Sequence, residues 1–272
     1  MSEPFLRVEG VSKVYPTRQG EIFAVDDVSL DLPEHGFMSL LGPSGCGKST
    51  LLLMSAGLIS RTAGTIAICG NPVERPYTDL GIVFQDANLL DWRRVTDNLL
   101  IQAEFRGLDK SRLRDRGLKL LQMVGLAGYE HRYPHQLSGG MRQRVSICRA
   151  LVHDPPLLLM DEPFGALDAL TRDQLNLDLQ EIWMESRKTI LFVTHSITEA
   201  VFLSDTVIVM TPQPGRVGAV VDIDLPRPRE FAIRETPAFG SYTKQIRGLF
   251  ETWGVLTDRG ARTTAVERRE SD

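Results

Sequence analysis

The sequence has little cysteine: three residues in 272, Cys46, Cys69 and Cys148. An odd number at wide spacing excludes a disulfide framework and a cysteine-based zinc site, so reduced thiols are expected. There is also no long apolar run. The longest, Leu51 to Ile59, contains Ser55 and Gly57 and falls short of the roughly 18 residues that a membrane-spanning helix needs. Any membrane association is therefore expected to be peripheral. The first residues, Met1-Ser2-Glu3-Pro4-Phe5, lack the basic region and apolar stretch of a secretory signal, so the chain is expected to stay in the cytosol. A formal charge of −4 gives no basic excess, and no nucleic-acid partner is expected. Neither an internal repeat nor a low-complexity tract is present. What remains is ordinary globular composition, 42% hydrophobic and 24% charged, enough to bury a core in one large domain or a domain with an insertion.

Along the chain, Phe5 to Tyr15 and Phe23 to Leu32 read as antiparallel edge strands around the turn-rich Pro16 to Gly20. Ser29-Leu30-Asp31-Leu32 alternates like a half-buried strand. Phe37 to Leu41 is apolar apart from Ser39, the pattern of a strand buried on both faces. Gly64 to Gly70 and Leu80 to Phe84 are further short strands. From Asp86 to about Asp154 the periods turn helical, with candidate helices at Val95 to Phe105, Ser111 to Val124 and Gly140 to Val152. Strand-like runs resume at Pro156 to Met160, Thr189 to Thr194 and Thr206 to Met210, separated by helical stretches at Leu170 to Glu185 and Ile197 to Leu203. This alternation predicts right-handed crossovers and an α/β fold with a mainly parallel central sheet. A last strand, Val217 to Ile223, and an amphipathic segment, Gly240 to Trp253, close it, and Thr257 to Asp272 is polar and is expected to be a flexible tail.

The chemistry begins in Gly42-Pro43-Ser44-Gly45-Cys46-Gly47-Lys48-Ser49-Thr50. It matches the phosphate-loop pattern G-x-x-x-x-G-K-[ST] and has the strand before and helix after that the pattern requires. The glycines allow successive N–H groups to face an anion at a helix N-terminus, and Lys48 adds a full positive charge. The Ser49 hydroxyl suits the Mg²⁺ that accompanies a nucleoside triphosphate. In open α/β sheets ligands bind at the carboxyl ends of the strands, and three more strand ends carry polar groups. Leu157-Leu158-Leu159-Met160 ends in Asp161 and Glu162, one carboxylate to hold a metal and one to polarise water. Gln85 follows Leu80 to Phe84, and its amide can meet both metal and water. His195 follows Ile190 to Thr194; a lone histidine is as often structural, but its rim position points to the γ-phosphate. Leu137-Ser138-Gly139-Gly140-Met141-Arg142-Gln143-Arg144 places Ser138 and two glycines at a second helix N-terminus, an anion-binding geometry without its own lysine.

With these segments in this order, the chain resembles the ATPase subunit of ATP-binding cassette (ABC) transporters over about residues 4 to 250. The phosphate loop, Gln85, the LSGGMRQR signature at 137 to 144, the LLLMDE segment at 157 to 162, the Gly165-Ala166-Leu167-Asp168 loop and His195 carry the resemblance. It implies a P-loop NTPase domain at 4–238 with an antiparallel β edge subdomain and an inserted helical subdomain at 86–154. A C-terminal helix at 239–256 and the tail at 257–272 would follow. It implies ATP and Mg²⁺, with Ser49, Gln85 and Asp161 at the metal, Glu162 as general base, His195 at the γ-phosphate and Tyr15 against adenine. An aromatic at an edge-strand end is also ordinary packing. It further implies a head-to-tail dimer in which the signature, with Ser138, Gly139 and Gly140, of one copy completes the nucleotide site of the other, and it counts Asp168 among the nucleotide-binding residues. Integral membrane permease subunits, a solute-binding protein and a peripheral position on the cytoplasmic face of the inner membrane belong to the same expectation.

Gln85 to Arg93, Met160 to Asp168 and Phe192 to His195 followed by Glu199-Ala200-Val201 are similar to the subgroup importing nitrate, sulfonates and taurine. Asp91 replaces the usual proline where the family contacts its membrane subunit. Trp92, beside two arginines, suits a partner surface or packs inside the helical subdomain. Two other classes remain to be weighed. Soluble ABC proteins acting on ribosomes or DNA carry two cassettes or long insertions, absent here, and a small-molecule kinase leaves Leu137 to Arg144 unexplained.

Overall fold

The computed structural model describes residues 3–18 and 20–256. The predicted tail at 257–272 lies outside the described residues. Two sheets organise the chain. β1 (Leu6–Thr17) and β2 (Gly20–Leu32) form a long hairpin, β1 pairs antiparallel with β4 (Ala63–Ile68), and the short β5 (Asn71–Pro72) completes the order β2-β1-β4-β5. Along the end of β2, Val28, Leu30 and Leu32 are buried while Ser29 and Asp31 face out, the alternation of a sheet with one wet face. The second sheet runs β10 (Val217–Asp222), β9 (Thr206–Met210), β3 (Phe37–Leu41), β8 (Thr189–Thr194), β7 (Leu157–Asp161), β6 (Leu80–Val83). It is parallel except for β10, which runs antiparallel to β9.

Every residue of β3 and β8 is buried, because the central sheet is covered on both sides. Leu157 and Leu159 join a core shared with the first sheet and with Leu51, Leu52 and Met54 of α1 (Lys48–Ser55). Leu158 and Met160 join the opposite core, with α6 (Ala169–Ser186), α7 (Ile197–Leu203), α8 (Pro237–Thr252) and the helical segment. Each such leucine, fully buried, contributes about 1.5–3 kcal/mol of transfer free energy. The two cores clamp the central sheet, so the loops at its carboxyl edge rest on a rigid base.

The helical segment carries α2 (Val95–Leu99), α3 (Ile101–Arg106), α4 (Lys110–Met123) and α5 (Gly139–Leu151). The single helix expected from Val95 to Phe105 is interrupted at Leu100, whose ψ rises to 1°. Ala103 N–H there donates to Leu100 O at 3.0 Å, a tightened turn that breaks the α-helical ladder. Just before the break, the fully buried Asn98 donates to the carbonyls of Leu90, Arg93 and Arg94 and accepts from Leu90 N–H. Its amide satisfies the preceding loop's backbone. The strand expected from Gly64 to Gly70 stops at Ile68, where Cys69 takes φ 48° and turns the chain into β5. The last helix starts at Pro237 rather than Gly240, with the Thr236 side chain accepting from Phe239 N–H as N-cap.

Candidate functional site

The phosphate loop leaves β3, a central strand flanked by β8 and β9. Gly45 and Gly47 adopt φ 80° and 90°, a region costly for residues with a Cβ. Gly42 is needed for a different reason: a Cβ there would sit 2.8 Å from Cys46 Sγ and 3.1 Å from Met210 O. Helix α1 begins at Lys48, so the N–H groups of its first turn lack intrahelical acceptors and can serve an anion. Lys48 is buried, and its Nζ donates to Gly42 O and Pro43 O at 2.9 Å each. The ammonium thus closes the loop on itself and lies 3.7 Å from Glu162 Oε1.

Four strand ends converge here. Ser49 Oγ donates to Asp161 Oδ1 at 2.8 Å. Burial pushes the Asp161 carboxyl above the ordinary carboxylate range; the Glu162 charge adds to this, while the Ser49 hydrogen bond and the Lys48 charge oppose it. Glu162 takes φ 44° directly after β7, anchored by its N–H to Val193 O at 3.0 Å. Its Oε2 lies 3.0 Å from His195 Nδ1. One carboxylate therefore joins Lys48 from β3 and His195 from β8, a geometry that orients Glu162 toward the loop mouth. Gln85 lies across the turn after Glu162, since a Cβ on Gly165 would be 3.2 Å from its Nε2.

Among the described residues no cluster of three or more His, Cys, Asp or Glu side chains could hold a metal. The candidate donors are instead the Ser49 hydroxyl, hydrogen-bonded to the Asp161 carboxylate, and the Gln85 amide beside Gly165. These hard oxygens fit Mg²⁺, whose remaining positions are normally taken by waters and substrate phosphates. The loop and its donors thus match what a magnesium nucleotide requires.

The second predicted anion site is built separately. Ser138 is the N-cap of α5, its Oγ accepting from Met141 N–H at 3.3 Å. Ser138 and Gly139 are exposed, while Gly140 is pressed so close to α6 that a Cβ would lie 2.4 Å from Thr171 Cγ2. Among the described residues no hydrogen bond joins Ser138, Gly139 or Gly140 to the phosphate loop, Glu162 or His195. Asp168 caps α6: its Oδ1 accepts from Thr171 N–H at 3.0 Å and its Oδ2 from Thr171 Oγ1 at 2.7 Å. These bonds lower its carboxyl pKa. Tyr15, near the end of β1, is exposed, with Lys13 Nζ 4.9 Å from its ring centroid. Cys46, by contrast, is a buried thiol whose pKa burial raises. Pro43, Ser44 and Thr50 complete the loop without hydrogen bonds to the carboxylates.

Sequence reasoning missed the groups that brace these loops. Gln143, buried on α5, donates to Phe84 O at 3.0 Å, and Arg149 donates to Ala87 O and Asn88 O at 2.8 and 2.6 Å. The segment after β6 is thereby hung from the signature helix. Gly215 was also missed. It bridges Val25 of β2, and a Cβ there would fall 1.8 Å from Cys46 O. No local pattern announces it, because its contact is with a loop about 170 residues earlier in the chain.

Similarity to known proteins agrees with this site. The ABC transporter family pattern matches residues 25–165. An uncharacterized ABC transporter ATP-binding protein of Methanocaldococcus jannaschii is 45% identical over 90% of this chain and 91% of its own length. A taurine import ATP-binding protein of Rhizobium johnstonii is 45% identical over 91% of this chain and 97% of its own. A nitrate import ATP-binding protein of Synechococcus elongatus is 43% identical, covering 86% and 87%. Among solved structures, a bacterial ABC transporter cassette determined as a dimer superposes with a TM-score of 0.72 at 31% identity, covering 81% of this chain and all of that one. A post-hydrolysis dimer bound to ADP and Pi gives 0.71 at 30% identity, again over 81% of this chain and all of that one. The P-loop fold, the two anion-binding helix starts and these matches lead to one conclusion: the chain belongs to the ABC transporter family.

Proposed function

We propose that the protein is the ATP-hydrolysing subunit of an importer for a small anionic or organic solute of the nitrate, sulfonate or taurine type, working as a head-to-tail dimer. The observation that carries the reading is Glu162, held between Lys48 and His195 at the mouth of a phosphate loop. In this reading the loop's N–H groups and Lys48 bind the triphosphate. Ser49, Asp161 and Gln85 would hold Mg²⁺, which when bound draws charge from the β- and γ-phosphate oxygens. Glu162 accepts a proton from the attacking water. His195 fixes the carboxylate's orientation and contacts the γ-phosphate. Tyr15 offers its exposed ring to the base.

Among the described residues, Ser138 to Gly140 have no hydrogen bond to the protein's own loop, which suits an anion site completed by a second copy. A solute-binding protein would deliver the solute outside, and the cassette would sit on the cytoplasmic face of the inner membrane. No helix among the described residues is long and apolar enough to cross a membrane, so translocation needs separate permease subunits. Their docking surface is proposed at the groove of about 650 Å³ lined by Leu58, Tyr77, Ile101 and Phe105. Phe105 is 81% exposed there, and Trp92 stands 74% exposed in the neighbouring segment rather than packed among the helices.

The test is Glu162→Gln. The variant should bind ATP, lose turnover by at least about 10²-fold and accumulate as a dimer in ATP. Lys48→Ala should lose nucleotide affinity. Wild-type turnover in Glu162→Gln would remove Glu162 from the role of base, and copurification with ribosomes instead of membrane subunits would overturn the transport assignment.

A further inference from the structure

Glu199 is a buried carboxylate that the reaction above does not use. Its side chain is 8% exposed, on α7 one turn after His195. Thr194 Oγ1 donates to Glu199 Oε2 at 2.6 Å and accepts from Ser196 N–H at 3.0 Å. Because a hydroxyl has one proton, Glu199 as acceptor fixes its direction and leaves the lone pair for Ser196. Both residues flanking His195 are thereby pinned by one carboxylate. On its other oxygen Glu199 faces Arg172 Nε of α6 at 3.5 Å, an ion pair outside hydrogen-bond geometry. Arg172 Nη2 in turn donates to Leu167 O at 3.1 Å. The Leu167 side chain packs beside the signature, since a Cβ on Gly139 would lie 3.6 Å from its Cδ2. A continuous path therefore runs from the start of α5 through Leu167, Arg172, Glu199 and Thr194 to His195.

Burial raises the Glu199 carboxyl pKa, against the Thr194 hydrogen bond and the charges of Arg172, His195 and Arg234. Such a group is costly to keep unless its position is used.

We propose that Glu199 and Arg172 are a positioning pair that holds the His195 turn and the 165–168 loop in fixed register for ATP hydrolysis. The proposal rests on the ATPase reading above. Neither residue is placed on substrate. Their effect is to set where His195 meets Glu162 while the loop between Glu162 and α6 faces the partner copy. A carboxamide at 199 keeps an acceptor for Thr194 but drops the attraction to Arg172. It tests the pairing without emptying the core.

The experiment measures steady-state ATP hydrolysis by the full-length protein and by Glu199→Gln, Arg172→Lys, Arg172→Ala and the Glu199→Gln/Arg172→Ala double variant. The expected result is a fall in kcat of about tenfold for Glu199→Gln and for Arg172→Ala, with KM for ATP changed less than about twofold. Arg172→Lys, which keeps the charge, should recover part of the loss. The double variant should be no worse than the poorer single one, as expected for residues acting through one contact. Multiplying losses, or wild-type kcat in Glu199→Gln, would overturn the pair while leaving the ATPase reading intact. Failure of the wild-type protein to hydrolyse ATP would overturn both. If Arg172→Ala does not fold, Glu199→Gln and Arg172→Lys decide the matter on the kcat against KM split.

Discussion

Substituting Gly215 by alanine should damage nucleotide binding, although the residue lies on no recognised motif and meets the phosphate loop only through its backbone, at Cys46 O. Gly215 sits in the turn between β9 and β10, laid alongside β2: Asp26 N–H donates to Gly215 O at 3.0 Å, and Gly215 N–H donates to Ala24 O at 3.3 Å. Arg216 pairs with Asp26 in the next position, and Thr211 N–H donates to Arg216 O at 3.0 Å to close the turn. The glycine is therefore held from two sides, with Cys46 O of the phosphate loop directly over its Cα. An added Cβ meets that oxygen at 1.8 Å, and the gap must open to at least 3.0 Å, the closest approach real Cβ atoms make. The obstacle is backbone, not a side chain that can swing away. Either β2 and the turn retreat or the loop is pushed by about an ångström. Overpacking of this kind costs about 1–3 kcal/mol of stability, and displacement of a binding loop by about 1 Å costs up to about 10²-fold in activity. ATP titration by calorimetry and a thermal melt read the two effects separately. A control is Gly248→Ala in α8, where nothing lies within 4 Å of the new methyl; it should be neutral or stabilise the helix by up to about 1 kcal/mol. Wild-type ATP affinity and melting temperature in Gly215→Ala would refute the argument that this turn braces the phosphate loop.

Three further outcomes are expected. Arg229 is fully buried and among the described residues pairs with no carboxylate; it donates instead to the carbonyls of Val201, Phe202, Ser204 and Leu225, and burial pushes its pKa down to about 10. Arg229→Ala strands those carbonyls and leaves a void, so denaturant unfolding should show a loss of about 3–5 kcal/mol. Asp154 Oδ1 accepts from Arg116 and lies 2.6 Å from Lys188 Nζ. Burial opposes its ionisation, but the bonds from Lys188 and Arg116 prevail and its pKa is lowered. That stabilisation is present above the ordinary carboxylate pKa and is lost as pH falls through the lowered value. The gap in melting temperature between wild type and Asp154→Asn should accordingly stay constant at neutral pH and close as pH falls below the ordinary carboxylate range and through the lowered value. Phe105→Asp, on a side chain already 81% exposed, should leave the ATPase activity of the dimer intact while reducing copurification with membrane subunits; unchanged copurification would move the docking surface elsewhere.

The strands and the phosphate loop were legible in the sequence because their signals are local. Phe37 to Leu41 is apolar apart from Ser39, and the structure buries it on both faces. Gly45 and Gly47 are where positive φ is required. Asp161, Glu162, Gln85 and His195 were found by asking what ends each parallel strand, a rule that needs only strand boundaries. For Gly42 the anion-facing backbone is legible in the sequence, but the close approach of Met210 and Cys46, which also demands glycine there, is not. The break at Leu100 had no sequence signal, since Val95 to Phe105 contains neither proline nor glycine.

What sequence could not supply was the bracing of the site, and the reason is physical. Loops at a sheet's carboxyl edge carry backbone groups that no neighbouring strand pairs, so distant donors must fix them. Gln143 and Arg149 do this for the segment after β6, and Arg172 for the loop before α6. All three donate to backbone carbonyls, which every residue possesses, so nothing in the receiving stretch records the contact. The receiving loops nevertheless contain Gln85 and Asp168, the residues proposed to meet nucleotide. Two of the three donors, Gln143 and Arg149, lie on the helix that begins at Ser138. A rotation of that helix would carry the Gln85 segment with it, because three hydrogen bonds to Phe84, Ala87 and Asn88 must move or break. The signature helix thus joins its own exposed start at Ser138 to the segment that carries Gln85.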